Sequence, residues 1–367
     1  MQGILGNIET PAILIEKKIM ERNLRAMQSL ADLHGINLRV HIKTHKIPEL
    51  AKLQLKSGAV GIAVAKLGEA EIMADAGIRD LQIANIIVGE NKFKRLRRLH
   101  RKCRLTVAID SIENAMALSN KFKKERTPLS VLIKINSGLN RSGLDSFRDV
   151  LNLAKIVSAL KGLKIIGLMT HAGHAYGASN LNEIKHIGKS EGTLLVEYAQ
   201  SLKRHGFDMD ELSAGSTPTA PFCSHVPGLT EVRVGNYIFN DRTQVALDTV
   251  PQSRCALTVL ATVISRHSKN RVVIDAGSKA LALDMGAHGK SLLKGYGLVL
   301  RTNDTITRLS EEHGIIDKPR GKYKIGMKIR IIPNHACTVM NLFDEAFLVN
   351  GNEVLGKYRI AARGKMT

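Results

Sequence analysis

The run His41-Ile42-Lys43-Thr44-His45-Lys46 gathers two imidazoles and two amines within six residues. If it closes a β-strand, side-chain alternation puts His41, Lys43 and His45 on one side. Removal from water and neighbouring positive charge both lower the pKa of an amine, and a neutral amine is what condensation with a carbonyl requires. Ser213-Ala214-Gly215-Ser216-Thr217-Pro218-Thr219 and Gly235-Asn236-Tyr237 have a different chemistry. Their glycines allow close backbone approach and their hydroxyls can donate. Pro218 suits the first turn of a helix whose free N–H groups attract an anion. His171, His174 and Tyr176 are candidates for ring contacts and proton transfer, and Arg141 for holding an anionic oxygen or a scaffold carboxylate. In extended backbone His335 and Cys337 share a face and can bind one metal, with coordination positions left for water and substrate. A buried free cysteine beside a histidine is the plainer reading of that pair.

These residues need elements to position them. From about residue 17 to 235 short β-rich runs alternate with helical stretches, the runs falling at 38–42, 59–65, 81–88, 104–109, 129–135, 163–170, 211–214 and 230–234. Amphipathic segments such as 47–57, 67–76, 111–124, 147–160 and 180–205 lie between them. Eight strands in this rhythm predict an α/β fold, a (β/α)8 TIM barrel, whose chemistry gathers where strands end. After about residue 245 the runs 256–265, 271–275, 328–332 and 346–349 lack long helices between them and predict a C-terminal β-rich domain. The expected division is 16–245 and 246–367, with residues 1–15, including the strand-like 11–15, packing on the second part.

The 367 residues carry 54 Lys and Arg against 33 Asp and Glu, a formal charge of +21. Such an excess permits phosphate binding, but Trp is absent and aromatics make up 4%, which argues against a platform for stacking bases. The densest basic run, 92–104, spaces Phe93, Leu96, Leu99 and Cys103 as one helical face, so a solvated barrel helix accounts for it better than a nucleic-acid patch. No apolar stretch is long enough to span a bilayer, and the opening residues lack an export signal. Four scattered cysteines indicate neither a disulfide framework nor a zinc knuckle, as expected of a cytoplasmic protein.

Taken together, the order of these segments resembles the pyridoxal-phosphate enzymes that include D-threonine aldolase and the metal-dependent D-serine dehydratase. The likeness also takes in 9–12, 68–71, 140–143, 235–241, 275–279, 311–314 and 361–364, and runs nearly end to end. It implies the alanine-racemase-like fold and a homodimer with sites at the subunit boundary. By this resemblance Lys43 is the cofactor lysine, Arg141 lies near the phenolic oxygen and Tyr176 near the ring. Gly215, Ser216, Thr217, Asn236 and Tyr237 cradle the phosphate, and His335 with Cys337 bind a divalent metal, Mn2+ or Zn2+. The implied reaction is cleavage of a D-3-hydroxy-amino acid to glycine and an aldehyde, with His174 as proton acceptor. Dehydration to a 2-oxo acid and ammonia is the nearest alternative, followed by racemisation and by a pyridoxal-phosphate carrier without catalysis.

Overall fold

Strands buried on both faces need no polar alternation, and the apolar runs of the first two thirds of the chain become such strands. The computed structural model describes residues 4–267, 270–287 and 292–367. After β1 (Ala12–Glu16) and a helix over Lys17–Leu33 come the barrel strands β2 (Asn37–His41), β3 (Gly61–Val64), β4 (Asp80–Ile86), β5 (Arg104–Ile109), β6 (Leu129–Lys134), β7 (Leu163–Met169), β8 (Glu211–Ala214) and β9 (Glu231–Val234). Each pairs in parallel with the next, and β9 closes on β2. Even the run at β8, poor in β-formers, takes its place, because the gap between β7 and β9 has no other occupant.

The intervening helices start on side-chain caps. Ser111, Ser146 and Asn180 accept from the N–H groups of Asn114, Asp149 and Glu183, each cap being worth about 1 kcal/mol. The basic run forms a helix over Glu90–His100 that buries Phe93, Leu96 and Leu99, each contributing about 1.5–3 kcal/mol. Its outer face pairs Arg97 and Arg101 with Glu125, whose carboxyl their hydrogen bonds hold down at about 2. These charges are a solvated helix face, as the spacing predicted.

Beyond the barrel follow β10 (Leu257–His267), β11 (Arg271–Ile274), β12 (Gly297–Val299), β13 (Arg308–Leu309), β14 (Gly314–Asp317), β15 (Lys328–Pro333), β16 (Glu345–Asn350) and β17 (Glu353–Arg359). They form a nine-stranded sheet with β1, which lies antiparallel to β10 and parallel to β16. Of the opening fifteen residues, 1–3 lie outside the described ones. Among the described residues no helix is long and apolar enough to cross a membrane.

Candidate active site

The C-terminal ends of the barrel strands and the end of β15 enclose one cavity of about 440 Å³, a volume suited to a small ligand. Its wall includes Lys43, Arg141, Tyr176, Ser216, Thr217, Asn236, His335 and Cys337, eight residues singled out from the sequence. Gly215, Tyr237 and His174 are not on that wall, and each has a physical reason.

The alternation expected at the first barrel strand stops early. β2 ends at His41, and Ile42–Thr44 form a single 3-10 turn in which the Lys43 N–H donates to His41 Nδ1 at 3.3 Å. His41 and Lys43 still share the cavity, but His45 points elsewhere. Its Nδ1 accepts from the Ile47 N–H at 3.0 Å, so the proton sits on Nε2 and is donated to Gln54 Oε1 at 3.0 Å. Gln54 in turn donates to the Tyr237 hydroxyl at 2.9 Å. That chain draws the Tyr237 ring away from the cavity, and only its backbone N–H reaches the anion loop, donating to Thr217 Oγ1 at 3.1 Å.

The loop after β8 also differs in detail from the sequence expectation. Gly215 takes φ +103°, a conformation open to glycine, and its N–H is used by the buried carboxylate of Glu191. The helix that follows is a four-residue turn beginning at Ala220, with Pro221 and not Pro218 in its first turn. An anion is therefore offered the Ser216 and Thr217 side chains and the Gly235-Asn236 backbone, with no long helix behind them. Gly235 is needed for closeness, since a Cβ there would meet the His41 carbonyl at 2.8 Å.

His174 sits on the 3-10 turn Gly173–Gly177 and packs over Gly138, where a Cβ would meet its ring at 3.1 Å. Burial lowers its pKa. His171 lines the cavity in its place, with Nδ1 3.3 Å from the Gly215 carbonyl. Tyr176 is buried, with its hydroxyl bonded to Gln244 and Thr217, and burial raises its pKa. Arg141 is presented by a loop wound around Asn136, whose Oδ1 accepts from the N–H groups of Gly138 and Asn140 at 3.1 and 3.0 Å.

Two cations on the wall were not foreseen. Arg233 on β9 is buried and donates from Nη1 to Ser213 Oγ at 2.6 Å and from Nη2 to the Thr170 carbonyl. Lys134 ends β6 with Nζ 3.3 Å from the Ala84 carbonyl, and burial, helped by Arg141 and Arg233, brings its amine down to about 8. A charged residue within an apolar strand run was the available signal for both. Burial likewise lowers the pKa of Lys43, with Arg141 and Arg233 adding to it and Cys337 and Glu69 opposing. Against this positive charge, Asp284 is the sole carboxylate among the described lining residues.

The metal candidates meet by a route other than extended backbone. β15 ends at Pro333, and a helix over Ala336–Met340 starts with His335 in the capping position, so the pair spans a helix start. Asp241 fixes it, accepting from the Ala336 N–H at 2.8 Å and from Asn236 Nδ2 at 2.6 Å, which ties the anion loop to the His335 turn. His335 Nδ1 lies 3.5 Å from Asp284 Oδ1. Burial opposes its charge, but Cys337 and Asp284 hold the imidazole up at about 10, and His335 keeps the Cys337 thiol below its ordinary value despite burial. Thr44 Oγ1, next to Lys43, is 3.2 Å from Cys337 Sγ. No third histidine, cysteine or carboxylate completes a metal cluster among the described residues, so nitrogen and thiolate donors fit a divalent ion that keeps open positions.

Residues 15–243 match the family model for the alanine racemase N-terminal domain, and 256–349 that for a putative serine dehydratase domain. The chain belongs to the alanine-racemase-like family of pyridoxal-phosphate enzymes. It is 32% identical to D-threonine aldolase of Arthrobacter sp. over 98% of this chain and 94% of that one. It is 33% identical to D-threo-3-hydroxyaspartate dehydratase of Delftia sp. (strain HT23) over 92% and 93%. A metal-free variant of a D-threo-3-hydroxyaspartate dehydratase, with a cysteine changed to alanine, superposes at a TM-score of 0.90 with 29% identity over 98% and 99%. The crystal structure of D-threonine aldolase from Filomicrobium marinum superposes at 0.92 with 28% identity over 100% and 99%. Aldolase and dehydratase thus stand at similar distances from this member of the family.

Proposed function

We propose that the protein is a lyase dependent on pyridoxal phosphate and a divalent metal, cleaving D-3-hydroxy-amino acids to glycine and an aldehyde in the manner of a D-threonine aldolase. The observation that carries this reading is the meeting of Lys43, the anion loop and the His335-Cys337 pair on one cavity wall. When bound, pyridoxal phosphate supplies an electron sink for the α-carbon and the metal a Lewis acid.

The chain's own residues then have distinct tasks. Ser216, Thr217 and the Gly235-Asn236 backbone would hold the phosphate ester, Arg141 would serve the phenolic oxygen and Tyr176 the ring. Lys43, kept towards its neutral form by burial, is the condensing amine. His335 and Cys337 would hold the metal. We assign the substrate hydroxyl proton to His171 Nε2, because Nδ1 faces the Gly215 carbonyl and His174 is off the wall. The surrounding cations draw in the substrate carboxylate. By family likeness the protein acts as a homodimer, which sedimentation would test.

A second reading, dehydration to a 2-oxo acid and ammonia, is favoured by one observation. Solved variants of a D-threo-3-hydroxyaspartate dehydratase replace a histidine and, two positions on, a cysteine, the spacing of His335 and Cys337. Supplying D-threonine to the protein loaded with pyridoxal phosphate and Mn2+ separates the two. Glycine and acetaldehyde are expected; 2-oxobutanoate and ammonia would transfer the assignment to dehydratase.

A further inference from the structure

Two charged residues from the shared segments, Lys46 and Glu69, do not line the cavity, yet both are buried, at 6% and 1% exposure. Burying an ion pair costs several kcal/mol per ion and is recovered only with good geometry and further hydrogen bonds. Here the geometry joins three elements. Lys46 Nζ lies 3.4 Å from Glu69 Oε1 and donates to Asn341 Oδ1 at 2.7 Å. Glu69 Oε2 accepts from the N–H groups of Ala65 and Lys66 at 2.7 and 3.2 Å, which fixes the carboxylate at the start of the helix Leu67–Asp75. Asn341 directly follows the helix Ala336–Met340, which carries Cys337.

Lys46 itself stands three residues after Lys43 and adopts φ +57°, a left-handed conformation that a lysine takes only when its surroundings impose it. Its carbonyl accepts from the Ala362 N–H at 3.1 Å. The Lys43 turn is thus held to the Cys337 helix at two points: Thr44 touches Cys337 itself, and Lys46 holds the far end of that helix. Asp241 already holds the start of the helix through the Ala336 N–H, and these two contacts set its angle towards the Lys43 turn.

We propose that Lys46, clamped by Glu69, is a positioning residue that fixes the His335-Cys337 helix relative to the Lys43 turn and so sets the metal's place with respect to the condensing amine. This rests on the reading of the cavity as a pyridoxal-phosphate and metal site. Removing Lys46 alone would strand a buried carboxylate, so the informative variants are Lys46→Met/Glu69→Gln, which removes both charges, and Asn341→Ala, which cuts the bond to the helix.

The test is calorimetric titration of Mn2+ into cofactor-loaded wild-type and variant proteins, with the visible absorbance of the lysine-bound cofactor and the thermal midpoint recorded alongside. Metal affinity should fall by about tenfold or more, as for other residues that orient metal ligands, while the cofactor absorbance is kept. Affinity within about twofold of the wild type, whatever the thermal midpoint, would overturn the role of Lys46; if the double variant does not fold, Asn341→Ala decides alone. No Mn2+ uptake by the unaltered protein would overturn the proposal through the reading beneath it, an outcome distinct from uptake that the variants leave unchanged.

Discussion

Both ends of the barrel bury cations, and the two ends treat them differently. At the start of the strands, Arg39 on β2 lies between Glu231 on β9 and Asp80 on β4, at 2.7 and 2.6 Å. Burial alone would lower its pKa, but the two carboxylates prevail and raise it. At the opposite end Lys43, Lys134, Arg141 and Arg233 share a wall with Asp284 as the one carboxylate among the described lining residues, and the pKa of each is lowered, chiefly by burial. A charge paired within the chain serves the fold, whereas cations that outnumber the carboxylates around a cavity suit anions from outside, which on the proposed reading are a phosphate ester and a substrate carboxylate. The overall excess of +21 is a poor guide to this, since much of it lies on solvated faces such as Glu90–His100.

The contrast can be broken from either end. Lys43→Ala should lower kcat/KM by on the order of 10³-fold or more, the range for a lost catalytic group, without lowering the thermal midpoint, because no internal partner is stranded. Steady-state kinetics beside a thermal melt would check both halves. Arg39→Met should do the reverse. Leaving Glu231 buried without its partner should cost about 3–5 kcal/mol of stability, seen as a lower urea midpoint, while the protein that remains folded keeps its kcat/KM within about twofold.

A smaller effect follows from His45, which closes the same strand end but is held neutral within the scaffold. Its imidazole pKa is lowered by burial from 6.5 to about 4. A group depressed in the folded state contributes stability that is complete above its unfolded pKa and is lost as pH falls towards the folded one. Between pH 6.5 and 4 this amounts to roughly 3 kcal/mol, at about 1.4 kcal/mol per pH unit. The urea midpoint of wild-type protein should therefore fall more steeply over that window than that of His45→Gln, and parallel curves would remove His45 from the account.

Strand positions were largely legible because parallel barrel strands are continuous apolar runs between turn signals. The run 129–135 became Leu129–Lys134 and 211–214 became Glu211–Ala214. Glu353–Arg359 was missed for the opposite reason: it is largely exposed, and Gly356 interrupts the one half-buried face, which carries Val354 and Tyr358, so its alternation is weak. At the site, residue identities were legible and local geometry was not. Strand alternation predicts a shared side through His45, but β2 turns at Ile42, and the extended backbone expected at His335 is the start of a helix. Both errors arise at strand ends, where long-range bonds such as Ala336 to Asp241 and Gln54 to Tyr237 overrule local periodicity. The same applies to His174, which a 3-10 turn carries off the wall while leaving His171 on it.

Among the described residues two lysines line the cavity, Lys43 and Lys134, and both have lowered amine pKa values. Borohydride reduction of the protein loaded with pyridoxal phosphate, followed by peptide mass spectrometry, shows which of them carries the cofactor. The account predicts a single phosphopyridoxyl label on the peptide containing Lys43. A label on Lys134, or no labelled lysine at all, would contradict it.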